Sequence, residues 1–282
     1  MRTTFFFFLF LATAPLLSAQ PTLPIKAMSY NIRFDNPNDG ADAWPQRKDV
    51  LINQIRFYGP DVIGMQEVLK SQLDTLADRL PHYAWVGVGR DDGEAAGEFS
   101  PIFYREERFT ALQAGTFWLS PTPAKVSKGW DAALPRICTY VQLRERETDR
   151  IFWFFNTHFD HVGVTARTES IKVIKAQIAE RNTGDDPVII SGDFNVQPQD
   201  APMRIMRQDF ADAWQHSNIP PYGPTGTFNG FQADHPLDRR IDYLYYSPDD
   251  WQVLRVAHLS TLRDGHYPSD HLPVFAEFLW KS

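Results

Sequence analysis

Acids, amides and imidazoles close a series of apolar runs along this chain. Asn31 ends Met28-Ser29-Tyr30-Asn31, Glu67 follows Val62-Ile63-Gly64-Met65-Gln66, and His158 lies in Asn156-Thr157-His158-Phe159-Asp160. Asp193 and Asn195 come in Ser191-Gly192-Asp193-Phe194-Asn195, Asp242 in Arg240-Ile241-Asp242-Tyr243, and Asp270 and His271 in Ser269-Asp270-His271-Leu272-Pro273. Polar residues at the mouths of buried strands are where an α/β scaffold presents chemistry. Glu67, Asp270 and the Asn31 amide are hard oxygen donors. They suit Mg²⁺, which takes one or two carboxylates and leaves its other positions to water and substrate phosphate. His158 and His161 have no thiolate or second histidine pair to complete a zinc site.

The alternation of Asp193 and Asn195 about Phe194 predicts both polar side chains on one side of an extended segment, where acid and amide can orient a water and hold a phosphoryl oxygen. Asp242 with His271 supplies a carboxylate that fixes an imidazole's tautomer and supports its protonated form. His158 is a further donor for charge developing on phosphorus. Taken singly, each has an ordinary reading. Asn31 can be a strand end, Glu67 the cap of a helix starting near residue 69, and Gly192–Asn195 a turn. It is their joint occurrence, in this order, that points to a phosphate-cleaving site.

Strands are predicted over 25–32, 61–66, 83–88, 100–104, 137–144, 150–156, 187–191, 241–246, 252–259 and 273–279, where Val, Ile, Phe, Tyr and Trp are enriched between turn residues. Helices are predicted over 45–58, about 69–79 and 165–181, from Pro45 and from Ile171, Ile174 and Ile178 at helical spacing. Many strands and few helices do not suit a doubly wound parallel sheet, which alternates them. Two packed sheets with helices outside fit better. No internal repeat or linker divides the sequence, and the long polar loops 89–98 and 215–240 are of a kind that is commonly functional.

Arg2, the apolar run 5–17 and the small residues before Gln20 predict a signal peptide over 1–19, cleaved after Ala19, and a secreted or periplasmic single domain over 20–282. No other stretch approaches membrane-spanning length, so no stable membrane insertion is expected after cleavage. The lone Cys138 makes no internal disulfide and reads as a buried hydrophobe. The net charge is −7, and no Lys/Arg block offers the surface that tight polyanion binding needs.

With these motifs the sequence resembles the endonuclease/exonuclease/phosphatase family, the deoxyribonuclease I-like metal-dependent phosphohydrolases, over residues 25–280. The resemblance implies a four-layer α/β/β/α sandwich of two mostly antiparallel sheets flanked by helices, with the site at one end of the paired sheets. It implies that Asn31 and Glu67 help hold Mg²⁺ (Mn²⁺ as an alternative), with Asp270 at the metal or beside His271. Asp193 would orient or deprotonate the attacking water, Asn195 fix water and phosphate, His158 bind the scissile phosphate and Asp242 pair with His271. Some relatives place an acid two residues after the first Asn. This chain has Arg33 there, which weakens the case for a second metal and offers a cation to a phosphate oxygen.

Substrate choice is set by loops. Trp130 and Arg136 are expected in a rim loop, as a stacking surface and a phosphate contact, and the acidic loop 89–98 would repel an extended polynucleotide. The expected activity is metal-assisted in-line hydrolysis of a small or short phosphodiester or phosphomonoester. DNA or RNA nuclease and phospholipid diesterase activities stay open on the same fold, and a non-catalytic binding module is the least favoured alternative. Oligomeric state is not legible in the sequence.

Overall fold

The computed structural model describes residues 23–281; the expected signal peptide lies outside the described residues. In chain order the strands are β1 (Ile25–Asn31), β2 (Val62–Gln66), β3 (Tyr83–Val86), β4 (Ile102–Arg105), β5 (Phe109–Trp118) and β6 (Ile137–Glu145). Then come β7 (Ile151–His158), β8 (Val188–Asp193), β9 (Ala211–Asp212), β10 (Asp242–Tyr246), β11 (Trp251–His258) and β12 (Val274–Trp280). They form two six-stranded sheets, ordered β11-β12-β1-β2-β4-β3 and β5-β6-β7-β8-β10-β9.

Each sheet is antiparallel except at its centre, where β1 runs parallel to β2 and β7 parallel to β8. A parallel pair needs a long crossover, usually helical. The two crossovers are α1 (Trp44–Tyr58) and α3 (Val164–Arg181). Pro opens α1, and Gly59, at φ 54°, closes it in the left-handed conformation by donating its N–H to the Ile55 carbonyl.

Burial on both faces explains why the central strands read as near-continuous apolar runs. In β7, Phe152 and Phe154 face the other sheet, packing in one core with Val62, Ile189 and Phe278. Trp153 and Phe155 face outward beneath Ile171, Ile174 and Ile178 of α3. Met28, Ile63 and Met65 of the first sheet likewise pack under Ile52 and Ile55 of α1 and Leu73 and Leu76 of α2 (Lys70–Arg79). Helix, sheet, sheet and helix stack in four layers, as the resemblance implied.

Every predicted strand and helix is present, with ends shifted by at most two residues. The sequence reading missed β5, the short β9, the helix α4 (Ala201–Met206) and a 3-10 helix over Pro37–Asp42. β5 is an edge strand with exposed Leu112, Gln113 and Ala114 and a bulge between Ala111 and Gln113, so it lacks the apolar alternation that marks a strand.

Between the sheets, below the ends of their central strands, lies a buried polar layer. Asn156 Oδ1 accepts from Gln66 Nε2 at 2.6 Å and Ser191 Oγ at 3.0 Å, while its Nδ2 donates to the Met65 and Pro101 carbonyls at 2.7 and 3.0 Å. Asn156→Leu keeps the volume but strands these partners without water. The expected cost is about 3 kcal/mol of unfolding free energy, read by urea denaturation. A loss below about 1 kcal/mol would show that the layer does not hold the sheets together.

Candidate active site

The two parallel pairs deliver their C-terminal ends to one place. β1 ends at Asn31, Glu67 follows β2, and β7 and β8 end at His158 and Asp193. Glu67, Asn195 and Arg33 have φ of 61°, 49° and 56°, left-handed conformations that cost energy for non-glycine residues and turn the chain sharply past the strand ends.

Asn31 Nδ2 donates to Glu67 Oε1 and Asp193 Oδ2, both at 3.0 Å, and its Oδ1 accepts from the Arg33 backbone N–H at 3.0 Å. As it stands, Asn31 braces two carboxylates with its amide nitrogen. Glu67 Oε2 accepts from Phe34 N–H at 3.2 Å, and α2 is capped by Leu69 and Gln72, so Glu67 is not a helix cap.

Asp193 Oδ2 is the hub, 3.4 Å from His158 Nε2 and 3.8 Å from His271 Nε2. Asp193 Oδ1 accepts from Asn195 N–H at 2.9 Å, and Asn195 Nδ2 lies 3.2 Å from His158 Nε2 while donating to the Phe159 carbonyl. Asp193 and Asn195 therefore converge through a tight turn that the Asp193 carboxylate itself caps. The extended segment expected from the sequence ends at Asp193, because the left-handed Asn195 breaks the alternation.

His271 Nδ1 lies 2.9 and 3.1 Å from the two Asp242 oxygens. Asp242 and Asp193 are directly opposite each other on β10 and β8. Two buried acids so placed repel unless a cation lies between them. Burial, and then the Asp242 charge, push the Asp193 carboxyl up to about 7. Burial alone would neutralise His271, but Asp242 and Asp193 together hold its imidazolium well above the usual range. His158 is the reverse case: burial, then Arg136 and Arg90, hold it well below that range, as a neutral imidazole. Burial and the nearby Glu67 raise Asp270 to about 6.

Glu67, His158, Asp193, Asn195, Asp270 and His271 line a cavity of about 560 Å³, within the 300–1,000 Å³ range of small-ligand pockets, whereas Asn31 and Asp242 are not among its lining residues. Arg33, Arg136 and Arg239 also line it. Arg33 is spoken for, with Nε and Nη2 each 2.9 Å from Asp39 and Nη1 3.8 Å from Asp270. Arg136 is not on a rim. It is buried at the start of β6, its Nε 3.3 Å from Asp160 and its Nη2 2.9 Å from His161 Nδ1, while its buried Nη1 has no partner among the described residues.

Trp130 corrects the other rim expectation, since it is not among the residues lining the cavity. Its neighbour Asp131 accepts from the Ala166 and Thr165 N–H groups at the start of α3, which ties the segment to that helix and holds the indole outside.

The sequence reading missed the role of Glu98, read there only as a repelling charge. It lines the cavity 3.8 Å from His158 Nδ1 and is held by Arg90 at 2.6 Å. It also missed Asp160, the partner of Arg136, and Thr227, whose Oγ1 accepts from the Ile241 and Asp242 N–H groups. An acid two residues after His158 was a visible cue to Asp160, whereas Glu98 and Thr227 reach the site through loops that carry no such cue.

A family model described as "Endonuclease/Exonuclease/phosphatase family" matches residues 28–271. An endonuclease/exonuclease/phosphatase family protein from Bacteroides thetaiotaomicron is 36% identical with a TM-score of 0.87, covering 93% of this chain and 100% of its own. A mannosyl-6-phosphatase from Bacteroides thetaiotaomicron VPI-5482 is 37% identical with a TM-score of 0.85, covering 90% of this chain and 99% of its own. An uncharacterised protein of Acanthamoeba polyphaga mimivirus is 31% identical over 255 residues, 83% of this chain and 92% of that protein.

Proposed function

The chain belongs to the endonuclease/exonuclease/phosphatase family, whose members hydrolyse phosphoester bonds, and from that membership we propose that it is a divalent-metal-dependent phosphatase acting on a small, hydroxyl-rich phosphomonoester. The observation that carries this reading is the convergence of Glu67, Asp193 and Asp270 on a cavity of about 560 Å³. The likeness to a mannosyl-6-phosphatase favours a sugar phosphate over a polynucleotide. The leader-like residues 1–19 support export, and no helix among the described residues is long and apolar enough to cross a membrane.

The donor set fits a hard cation. Burial and the nearby Glu67 charge raise Asp270, as expected of two carboxylates sharing one site, and beside them Glu67, Asp193 and His271 offer potential ligand atoms within 4.8 Å of one another. Crowded, buried carboxylates cannot admit a phosphate dianion without compensating positive charge. Glu67 and Asp270 would hold Mg²⁺ or Mn²⁺, with Asn31 setting the separation of Glu67 and Asp193. When bound, such an ion supplies charge neutralisation and polarisation of a phosphoryl oxygen.

The remaining chemistry belongs to the chain. Asp193 orients the attacking water and takes its proton as the new oxygen–phosphorus bond forms and the ester bond breaks, and the departing oxygen leaves as an alcohol after taking a proton from solvent. Asn195 Nδ2 and the neutral His158 hold the water and a phosphoryl oxygen. The His271 imidazolium, fixed by Asp242, donates to oxygens that gain charge. A buried Arg136 with an unpaired Nη1 adds a further donor at the wall.

The test is a panel of sugar phosphates, an aryl phosphate, an aryl phosphodiester and DNA, each with Mg²⁺, with Mn²⁺ and with chelator. Turnover of monoesters is expected to vanish with EDTA and return with Mg²⁺. Activity that persists in EDTA, or that favours DNA, would overturn the assignment.

A further inference from the structure

A second cavity of about 320 Å³ adjoins the catalytic one, and the two share Phe228 and Arg239 as a common wall. We infer that this second cavity is the subsite for the leaving group, taking the hydroxylated carbon skeleton of the substrate, and that Arg239 is the residue that selects it. The inference rests on the phosphatase reading above.

The wall is built onto the catalytic loop. Phe228 forms a β-bridge with His271, and its ring meets the imidazole edge-on, with centroids 5.1 Å apart at 75°. Asn229 and Gly230 donate their backbone N–H groups to the Asp270 carbonyl at 2.8 and 3.1 Å, and Asn229 Nδ2 donates to the Ser269 carbonyl at 3.0 Å. A ligand in the second cavity is therefore held at a fixed distance from His271 and Asp270, which a binding pocket elsewhere on the surface would not ensure.

Arg239 differs from the other two arginines that line the catalytic cavity. Arg33 is engaged by Asp39 and Arg136 by Asp160, but among the described residues no carboxylate pairs with Arg239. Its guanidinium is instead laid over the Phe228 ring, 4.9 Å from the centroid, which fixes the fork in place without using its donors. Gln232, His235, Pro236 and Asp238 complete the lining, exposed like Arg239 itself, and the polar three make no side-chain hydrogen bonds among the described residues.

The chemistry of this lining picks out its ligand. A guanidinium, an amide, an imidazole and a carboxylate together offer both donors and acceptors, which is what adjacent hydroxyls need. The face of Phe228 is occupied by Arg239, so a flat apolar ring finds no bare platform there. Asp238 disfavours a second anionic group. A sugar or polyol fits.

The experiment compares wild type with Arg239→Gln on a hexose 6-phosphate and on p-nitrophenyl phosphate, measuring kcat and KM for each. Loss of the charged hydrogen bonds is expected to raise KM for the hexose phosphate about tenfold with kcat little changed, and to leave kcat/KM for the aryl phosphate within about twofold. Equal losses on both substrates would place Arg239 at the phosphate and overturn the subsite, as would no change on either. Those results leave the phosphatase reading intact, because wild type still turns over both. A wild type inert on every monoester would sink that reading and the subsite with it.

Discussion

Asp193→Asn is expected to lower kcat about a thousandfold with KM changed by less than about threefold, because it removes the carboxylate assigned to take the proton of the attacking water. Its Oδ2 is the meeting point of Asn31, His158 and His271. Circular dichroism should show the fold retained, since the substitution keeps the shape at the end of β8. The loss should be no deeper when His271→Ala is added, because groups that act as one unit do not contribute additively. Retention of more than about a tenth of wild-type kcat would remove Asp193 from the proton-transfer role.

His271→Ala is expected to damage both activity and stability. It leaves Asp242 and Asp193 facing each other across β10 and β8 with no cation between them. Breaking a buried ion pair in this way costs about 3–5 kcal/mol. The same change should cut kcat about a thousandfold, through the lost donor to the phosphoryl oxygens. The pH dependence follows from the sign of the His271 shift. Its folded pKa is raised above the unfolded value of about 6.5, so the stabilisation is full below that pH and is lost as pH rises through the folded value. Chemical denaturation in chelator, from pH 6 upward, should show stability falling in both proteins as the raised Asp193 and Asp270 carboxyls ionise, and falling further and to higher pH in wild type as the His271 imidazolium is lost. Parallel curves would mean that the imidazolium does not balance the two acids.

Much of this architecture was legible in the residues. Phe152-Trp153-Phe154-Phe155 and Val62-Ile63-Gly64-Met65 announce strands buried on both faces, and Ile171, Ile174 and Ile178 mark the stripe of α3. The ends of those strands carry Asn31, Glu67, His158 and Asp193, and the family resemblance implied that these side chains meet. β5 escaped because its middle, Leu112 to Ala114, faces solvent at a sheet edge.

The matching order of the two sheets, each with one central parallel pair bridged by a helix, left no mark as a sequence repeat. Topology constrains burial and direction, and many unrelated residues satisfy both. Trp130, Arg136, Glu98 and Arg239 were misjudged or missed for a different reason. Their positions depend on where long loops run, and those paths are set by distant anchors. Asp131, bonded to the start of α3, holds Trp130 away, Asp160 draws Arg136 inward, and Arg90 positions Glu98.

The place of β12 in its sheet has a consequence for biosynthesis. It lies between β11 and β1, so residues 274–280 join one of the earliest-made segments of the domain to one of the latest. A nascent chain that stops short of residue 274 lacks the strand that covers β1, however much of the second sheet has already emerged from the ribosome. The domain is therefore committed to folding after synthesis of its last strand, and a prematurely terminated product is expected to be cleared by proteases rather than to persist as a weakened enzyme.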